Sequence, residues 1–226
     1  MNRAAEDLEL LKKWSEWLRA IRVDVRSLLL SRQIFWEIQK IVRANAKLQE
    51  QPGLFNRWLA TNYVVAATVG IRRQLDRDPR SVSMVRLLTE VEVTLEERPD
   101  ILSRANFVKN YHPALREAAE RHYDELVGAG EQRVDVAFVR SDLDRFCAAV
   151  ATETIREFVN KRAAHWDEIA DDPKVKLGEV DTALDVLSGL VDKYSLLLTG
   201  SGGTIEPQLL PGWKGVFTMP WIEPSR

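Results

Sequence analysis

The chain is 226 residues long, 45% hydrophobic and 29% charged, with a formal net charge of −2. That length and balance predict a soluble globular protein with a real core and one main domain. They exclude a uniformly basic nucleic-acid binder while leaving room for a local basic patch.

In chain order, residues 6–48 carry Leu11, Trp14, Leu18, Ile21, Val25, Leu28 and Leu29 at three- and four-residue steps, the period of a helix with one buried face. The pattern continues through Phe35, Ile38 and Val42, as one helix or two, and stops at Gln51-Pro52-Gly53. A second helix is expected over 54–76. Its centre is apolar nearly all round, which predicts a buried position. Asp76 to Pro79 is a turn, and Asp78 or Ser81 is the expected cap of a third helix containing Val85, Leu87 and Leu88. Residues 96–113, broken by Pro99 and Pro113, read as irregular. Helices then follow over 114–128, from between 133 and 141 to about 169, and over 177–199, the last stopped by Gly200-Ser201-Gly202-Gly203.

No segment alternates as a strand does, so the fold class is all-α, an up-and-down helical bundle. The expected division is a bundle over 1–200 and an irregular tail over 201–226. In that tail Trp213, Phe217 and Trp221 recur every four residues among glycines and prolines that argue against a helix. Two readings stand for these aromatics: they dock on the bundle and cover apolar surface, or they form a strap for a partner.

The longest apolar run, Tyr63 to Ile71, is well short of the roughly twenty residues of a membrane span, and Met1 to Asp7 lacks the apolar core of a secretory signal. With one cysteine, Cys147, on an apolar helical face, an internal disulfide is excluded and a packing role is expected. The expected setting is the reducing cytoplasm, with no membrane partner. His112 and His122 stand among Glu117, Glu120 and Glu125, but their spacing spans Pro113 and does not place both on one helical face, so no metal and no cofactor is expected.

The densest chemistry lies at Asn160-Lys161-Arg162-Ala163-Ala164-His165-Trp166. Leu143, Cys147, Val150, Thr154 and Phe158 form an apolar stripe at helical spacing, and its continuation falls on Arg162 and His165. An imidazole between two cations can move the proton of a ribose 2′-hydroxyl or of a leaving oxygen. Lys161 or Arg162 can stabilise charge on a phosphorane. Asn160 can orient a phosphate or ribose, and Trp166 can stack on a base. The plainer reading is a basic helix end, which the helix dipole favours. Arg72, Arg73 and Asp76 form a second charged group. It is either an ion-paired helix exit or a basic wall contacting RNA, with Asp76 fixing one arginine.

Asn160 to His165 resembles the motif of the HEPN superfamily. The segments Gly70 to Asp78 and Ser81 to Leu88 are similar to the phage abortive-infection AbiU-type branch, as is Trp213-Lys214-Gly215-Val216-Phe217 with Pro220-Trp221. The resemblance spans about 10–221. It implies a helical domain that dimerises with two motif helices at a shared cleft. It also implies metal-independent RNA cleavage in phage defence or a toxin–antitoxin system, with a neutralising partner protein. In the family motif an arginine precedes the polar residue, followed by three to five positions and the histidine. His165 and Asn160 match, but Val159 stands where the arginine is expected. Lys161 or Arg162 then replaces the charge, or the chain is a degenerate member that binds RNA, nucleotide or a partner without cleaving.

Overall fold

The computed structural model describes residues 3–50, 53–150, 155 and 176–219. It is an all-α helical bundle. Its helices are α1 (Arg3–Ala44), α2 (Ala46–Gln49), α3 (Leu54–Gln74), α4 (Met84–Glu97), α5 (Arg104–Lys109), α6 (Arg116–Val127), α7 (Val136–Val150) and α8 (Leu177–Thr199). Among the described residues the only β pairing is an isolated bridge between Ser103 and Arg133.

The 42 residues of α1 reach about 63 Å at 1.5 Å per residue, and this length organises the molecule. Its stripe is buried from Trp14 through Leu18, Ile21, Val25 and Leu29 to Phe35. Two helices lie end to end along it, both antiparallel to it. Along the second half runs α3, with Gln39 Nε2 donating to Asn56 Oδ1 at 2.7 Å and Tyr63 stacked on Phe35 at 4.4 Å. Along the first half runs α4. There Glu90 Oε1 accepts from Lys13 Nζ at 2.6 Å and from Trp14 Nε1 at 3.0 Å, and Arg98 pairs with Glu6 and Asp7.

On another side α8 runs antiparallel to α1, with Trp36 against Asp181, Arg32 against Asp185 and Arg22 against Ser195. The remaining wall is α7, tied to α4 by Arg140–Glu92 at 2.7 Å and to α8 by Lys193–Asp142 at 2.6 Å. Asp142 is buried, and its Oδ2 also accepts from Tyr194 OH at 3.1 Å. Burial lowers the pKa of Lys193 and raises that of Tyr194. The latter keeps the phenol a neutral donor.

Several expectations are settled or corrected. Of the two arrangements expected over 6–48 the two-helix one is found: the first helix ends at Ala44, where Asn45 opens the short α2 and its side chain accepts from Leu48 N. The segment 96–113 is not irregular throughout. Ser103 accepts from Asn106 N and starts α5, whose Phe107 and Val108 are buried, so tertiary burial stabilises a helix too short to stand alone. The cap of α4 is Ser83, accepting from Arg86 N at 3.1 Å. Asp78 and Ser81 stay in the preceding turn, Asp78 accepting from Arg80 N at 2.8 Å and Ser81 donating to Asp78 O at 2.8 Å. The apolar centre of α3 is largely buried as expected, with Thr68 and Gly70 also covered, but the first turns of the helix are not. Tyr63, Ala67 and Ile71 are buried, whereas Leu54, Phe55 and Trp58 at its start are exposed.

In the C-terminal segment Ile205 is buried and its N–H donates to Asp192. Lys214 Nζ meets Glu37 Oε2 at 2.7 Å, and hydrogen bonds from Lys214 and Lys40 hold the Glu37 carboxyl down to about 2. Residues Trp213–Thr218 wind into a 3-10 turn in which Trp213 and Phe217 meet edge-on at 5.9 Å. The glycines there exclude an α-helix but not this tighter turn, whose entry Gly212 has φ +84°. Trp221 lies outside the described residues.

Gly70 of α3 lies close against Leu28 of α1. A Cβ there would overlap the buried side chain of Leu28. Gly70→Val is therefore expected to lower stability by about 1–3 kcal/mol through overpacking, read as a lower midpoint in urea denaturation.

Candidate functional site

The described part of the candidate site is the exit of α3. Arg72 and Arg73 occupy its last turn, where exposed carbonyls favour cations. Consecutive positions on a helix diverge by about 100°, and the two arginines have different fates. Arg73 pairs with Asp24 of α1. Arg72 is exposed and makes no ion pair among the described residues.

Asp24 also accepts from Gln74 Nε2 at 2.7 Å, and Gln74 Oε1 accepts from the backbone N–H of Met84 at 3.1 Å. The Gln74 side chain is 2% exposed, so one buried amide joins the middle of α1 to the end of α3 and the start of α4. Asp24 was not singled out in the sequence, and it takes the role expected of Asp76. Asp76 instead accepts from Asp78 N at 3.0 Å with its carboxylate and from the Ser83 hydroxyl with its backbone oxygen. The helical period of α1 places Asp24 beside Val25 without showing that it faces α3.

Around the same turn, Asp78 binds the Arg80 guanidinium at 2.9 Å, and hydrogen bonds from the Arg80 side chain and backbone hold its carboxyl below the usual range. Arg86 lies 4.1 Å from the centre of the Trp17 ring, with Lys13 at 4.7 Å. This surface can offer Arg72 to a phosphate, whereas the charge of Arg73 is partly neutralised by its partner.

Asn160, Lys161, Arg162, His165 and Trp166, together with Val159, lie outside the described residues. The stripe leading to them is seen as far as Val150: Leu143 and Val150 are buried and Cys147 is half-buried against the core. Ile155 is helical and buried.

After the motif the chain enters α8, whose second turn carries Asp181, a carboxylate shared by two other helices. Asp181 Oδ2 accepts from Trp36 Nε1 and its Oδ1 from Tyr63 OH, both at 2.9 Å. Burial, then the charge and hydrogen bond of Asp181, push the Tyr63 phenol far above its ordinary range. Arg32 binds Asp185 at 2.5 Å and Glu206 at 2.9 Å. Burial disfavours its charge, but these carboxylates raise it above its ordinary value.

Among the described residues no group of three or more His, Cys, Asp or Glu side chains gathers as a metal site. His112 Nδ1 caps a short 3-10 turn by accepting from Ala114 N at 3.3 Å, while Glu117 and Glu120 pair with Arg121 and Arg104. No helix among the described residues is long and apolar enough to cross a membrane.

The described residues thus form an all-α helical bundle with a basic exit to α3. Residues 11–211 match the family model HEPN_AbiU2, described as AbiU2, and the chain belongs to that family. No curated protein and no solved structure matches it.

The contrast between Asp24 and Arg72 is measurable. Asp24→Ala leaves the buried Gln74 amide without its acceptor and is expected to cost about 1–3 kcal/mol. Arg72→Ala should change stability by less than about 0.5 kcal/mol. Chemical denaturation of the two variants checks both values.

Proposed function

We propose that the chain is a metal-independent endoribonuclease of an abortive-infection or toxin–antitoxin system, acting as a cytoplasmic homodimer. The observation that carries this reading is the family match over 11–211, within which Asn160 and His165 fit the polar residue and histidine of the HEPN motif.

His165 as the neutral imidazole takes the proton from a ribose 2′-hydroxyl while that oxygen attacks phosphorus. The imidazolium then protonates the departing 5′-oxygen, leaving a 2′,3′-cyclic phosphate and a free 5′-hydroxyl. Lys161 and Arg162 stabilise the non-bridging oxygens as they gain charge, and Asn160 orients the phosphate. Trp166 stacks a base, and Arg72, with Arg73 beside it, contacts the strand. In a homodimer two motifs face one shared cleft, and a neutralising partner protein acts by covering it.

Val159 favours a second reading, a HEPN module that binds RNA, nucleotide or a partner without cleaving it. Purified chain incubated with labelled RNA in EDTA separates the two readings. Cleavage to cyclic-phosphate ends, slowed by at least about a hundredfold in His165→Ala, supports the enzyme. Equal product from both proteins sinks it, and RNA retained without product by both proteins supports the binding module.

A further inference from the structure

A cavity of about 330 Å³ opens between α1 and the C-terminal end of α8, lined by Ser15, Arg19, Arg22, Ser195, Ser201 and Gly202 among others. Its size falls within the range of small-ligand sites. It stands apart from the α8 start: Ser195 comes eighteen residues after Leu177, about 27 Å along the helix axis.

The walls follow from helical spacing. Ser15, Arg19 and Arg22 stand at steps of four and three and share one face of α1, while Leu18 is buried beside them and forms the floor. Ser195 and Thr199 face them from α8. Gly200, in the left-handed region at φ +65°, turns the chain so that Ser201 and Gly202 close the end.

The donors of this cavity outnumber their partners. Arg22 donates to Ser195 Oγ and to Gly203 O, each at 3.2 Å, which fixes its guanidinium against α8. Arg19 makes no hydrogen bond or ion pair among the described residues. The same holds for the hydroxyl of Ser201 and the backbone N–H of Gly202, although Ser201 N donates to Thr199 Oγ1 at 3.2 Å. Two guanidinium groups one turn apart repel each other across a cavity whose other walls are hydroxyls and a glycine loop. The hydroxyls of Ser15 and Thr199 are spent on Leu11 O at 2.7 Å and Ser195 O at 2.6 Å, so an oxyanion here accepts from Arg19, the Ser201 hydroxyl and the Gly202 N–H, and it relieves the repulsion between the two guanidinium groups.

Two features oppose an anion. Asp192 Oδ1 lies 3.9 Å from Arg22 Nη1, and the carbonyl end of α8 points this way. Asp192 is also engaged by Ile205 N at 2.8 Å, and burial raises its pKa. Arg19 remains uncompensated, and the wall keeps an excess of positive charge.

We propose that this cavity binds a phosphate group, with Arg19 as its main charge contact and Ser201 and Gly202 as neutral donors. The site is built from α1 and the C-terminal end of α8, and phosphate binding there does not depend on RNA cleavage.

Inorganic phosphate titrated into the isotope-labelled full chain at constant ionic strength, followed by amide NMR, tests the proposal. The Ser201, Gly202 and Gly203 amides are expected to shift saturably. Arg19→Gln should weaken binding by about tenfold, and Arg19→Lys should restore part of it. Ser201→Ala gives a smaller loss and serves as the second variant. No saturable shift, or equal affinity in Arg19→Gln, overturns the site.

Adenosine 5′-monophosphate and a 2′-O-methyl RNA without terminal phosphates then identify the source of the group. Tighter binding of the first assigns a terminal phosphate, and tighter binding of the second assigns a strand phosphodiester. The 2′-O-methyl strand cannot undergo internal transfer, so this outcome is independent of His165.

Discussion

The amide of Gln74 holds together the three helices that set the shape of this bundle. A side chain only 2% exposed gives its N–H to Asp24 of α1 and takes the first free N–H of α4, that of Met84. Buried polar atoms must find partners, so this pair of bonds fixes how α3 ends, where α4 begins and at what height both meet α1. Without it, α3 and α4 are two separate helices that slide along a long third one. With it, they form one down-going leg broken by a tight turn. The Ser83 cap and the Asp78 turn act within that constraint, because they place Met84 N within reach of the amide.

A second polar knot lies at the middle of α3. Asp181 gathers the indole of Trp36 and the phenol of Tyr63, and Arg32 beside it gathers Asp185 and Glu206. Each partner comes from a different part of the chain, so the knot fixes the start of α8 against α1 and α3 and fastens the segment after α8 to the same place. Lys214 on Glu37 repeats that fastening farther along α1. The two knots are separated by the length of α3 from Tyr63 to Gln74, about 16 Å of helix rise. The stacked Phe35–Tyr63 pair and the Gly70–Leu28 approach fill the space between them. Apolar packing there sets the distance between helices, and the knots set their register.

Much of this was legible in the sequence, for a physical reason. Helical period and terminal signals are local properties, so α8 appears at 177–199 as read, and the stripe from Trp14 to Phe35 is the buried one. What was not legible depends on neighbours remote in the chain. Asp24 reads as one more acid on the polar side of α1, and only the position of α3 makes it the partner of Arg73 and Gln74. Ser83 competes with Asp78 and Ser81 as a cap. The register fixed by Gln74 decides among them, and no propensity distinguishes these residues well enough. Helix α5 was hidden between two prolines because its stability comes from burying Phe107 and Val108 rather than from its own sequence. The family motif was legible as a motif, and Val159 as a departure from it, because both are statements about residue order alone.

Charge along this molecule is arranged by the same rule that arranges its helices. At several helix–helix contacts a carboxylate meets a cation, as Asp142 meets Lys193 and Asp185 meets Arg32. Arg72 and Arg19 depart from that rule. Arg72 lies on the outer side of the last turn of α3, where Asp24 of α1 pairs with its neighbour Arg73. Arg19 lies one turn from Arg22 on the α8 side of α1, where Asp192 is already shared between Arg22 and Ile205 N. In both places a pair of arginines meets a single carboxylate, and geometry assigns it to one of them. A net charge of −2 for the whole chain does not describe either surface. Locally each holds an excess positive charge at the end of a rigid helix, and the entropy cost of ordering a long side chain against an anionic ligand is smallest where the backbone beneath it is already fixed.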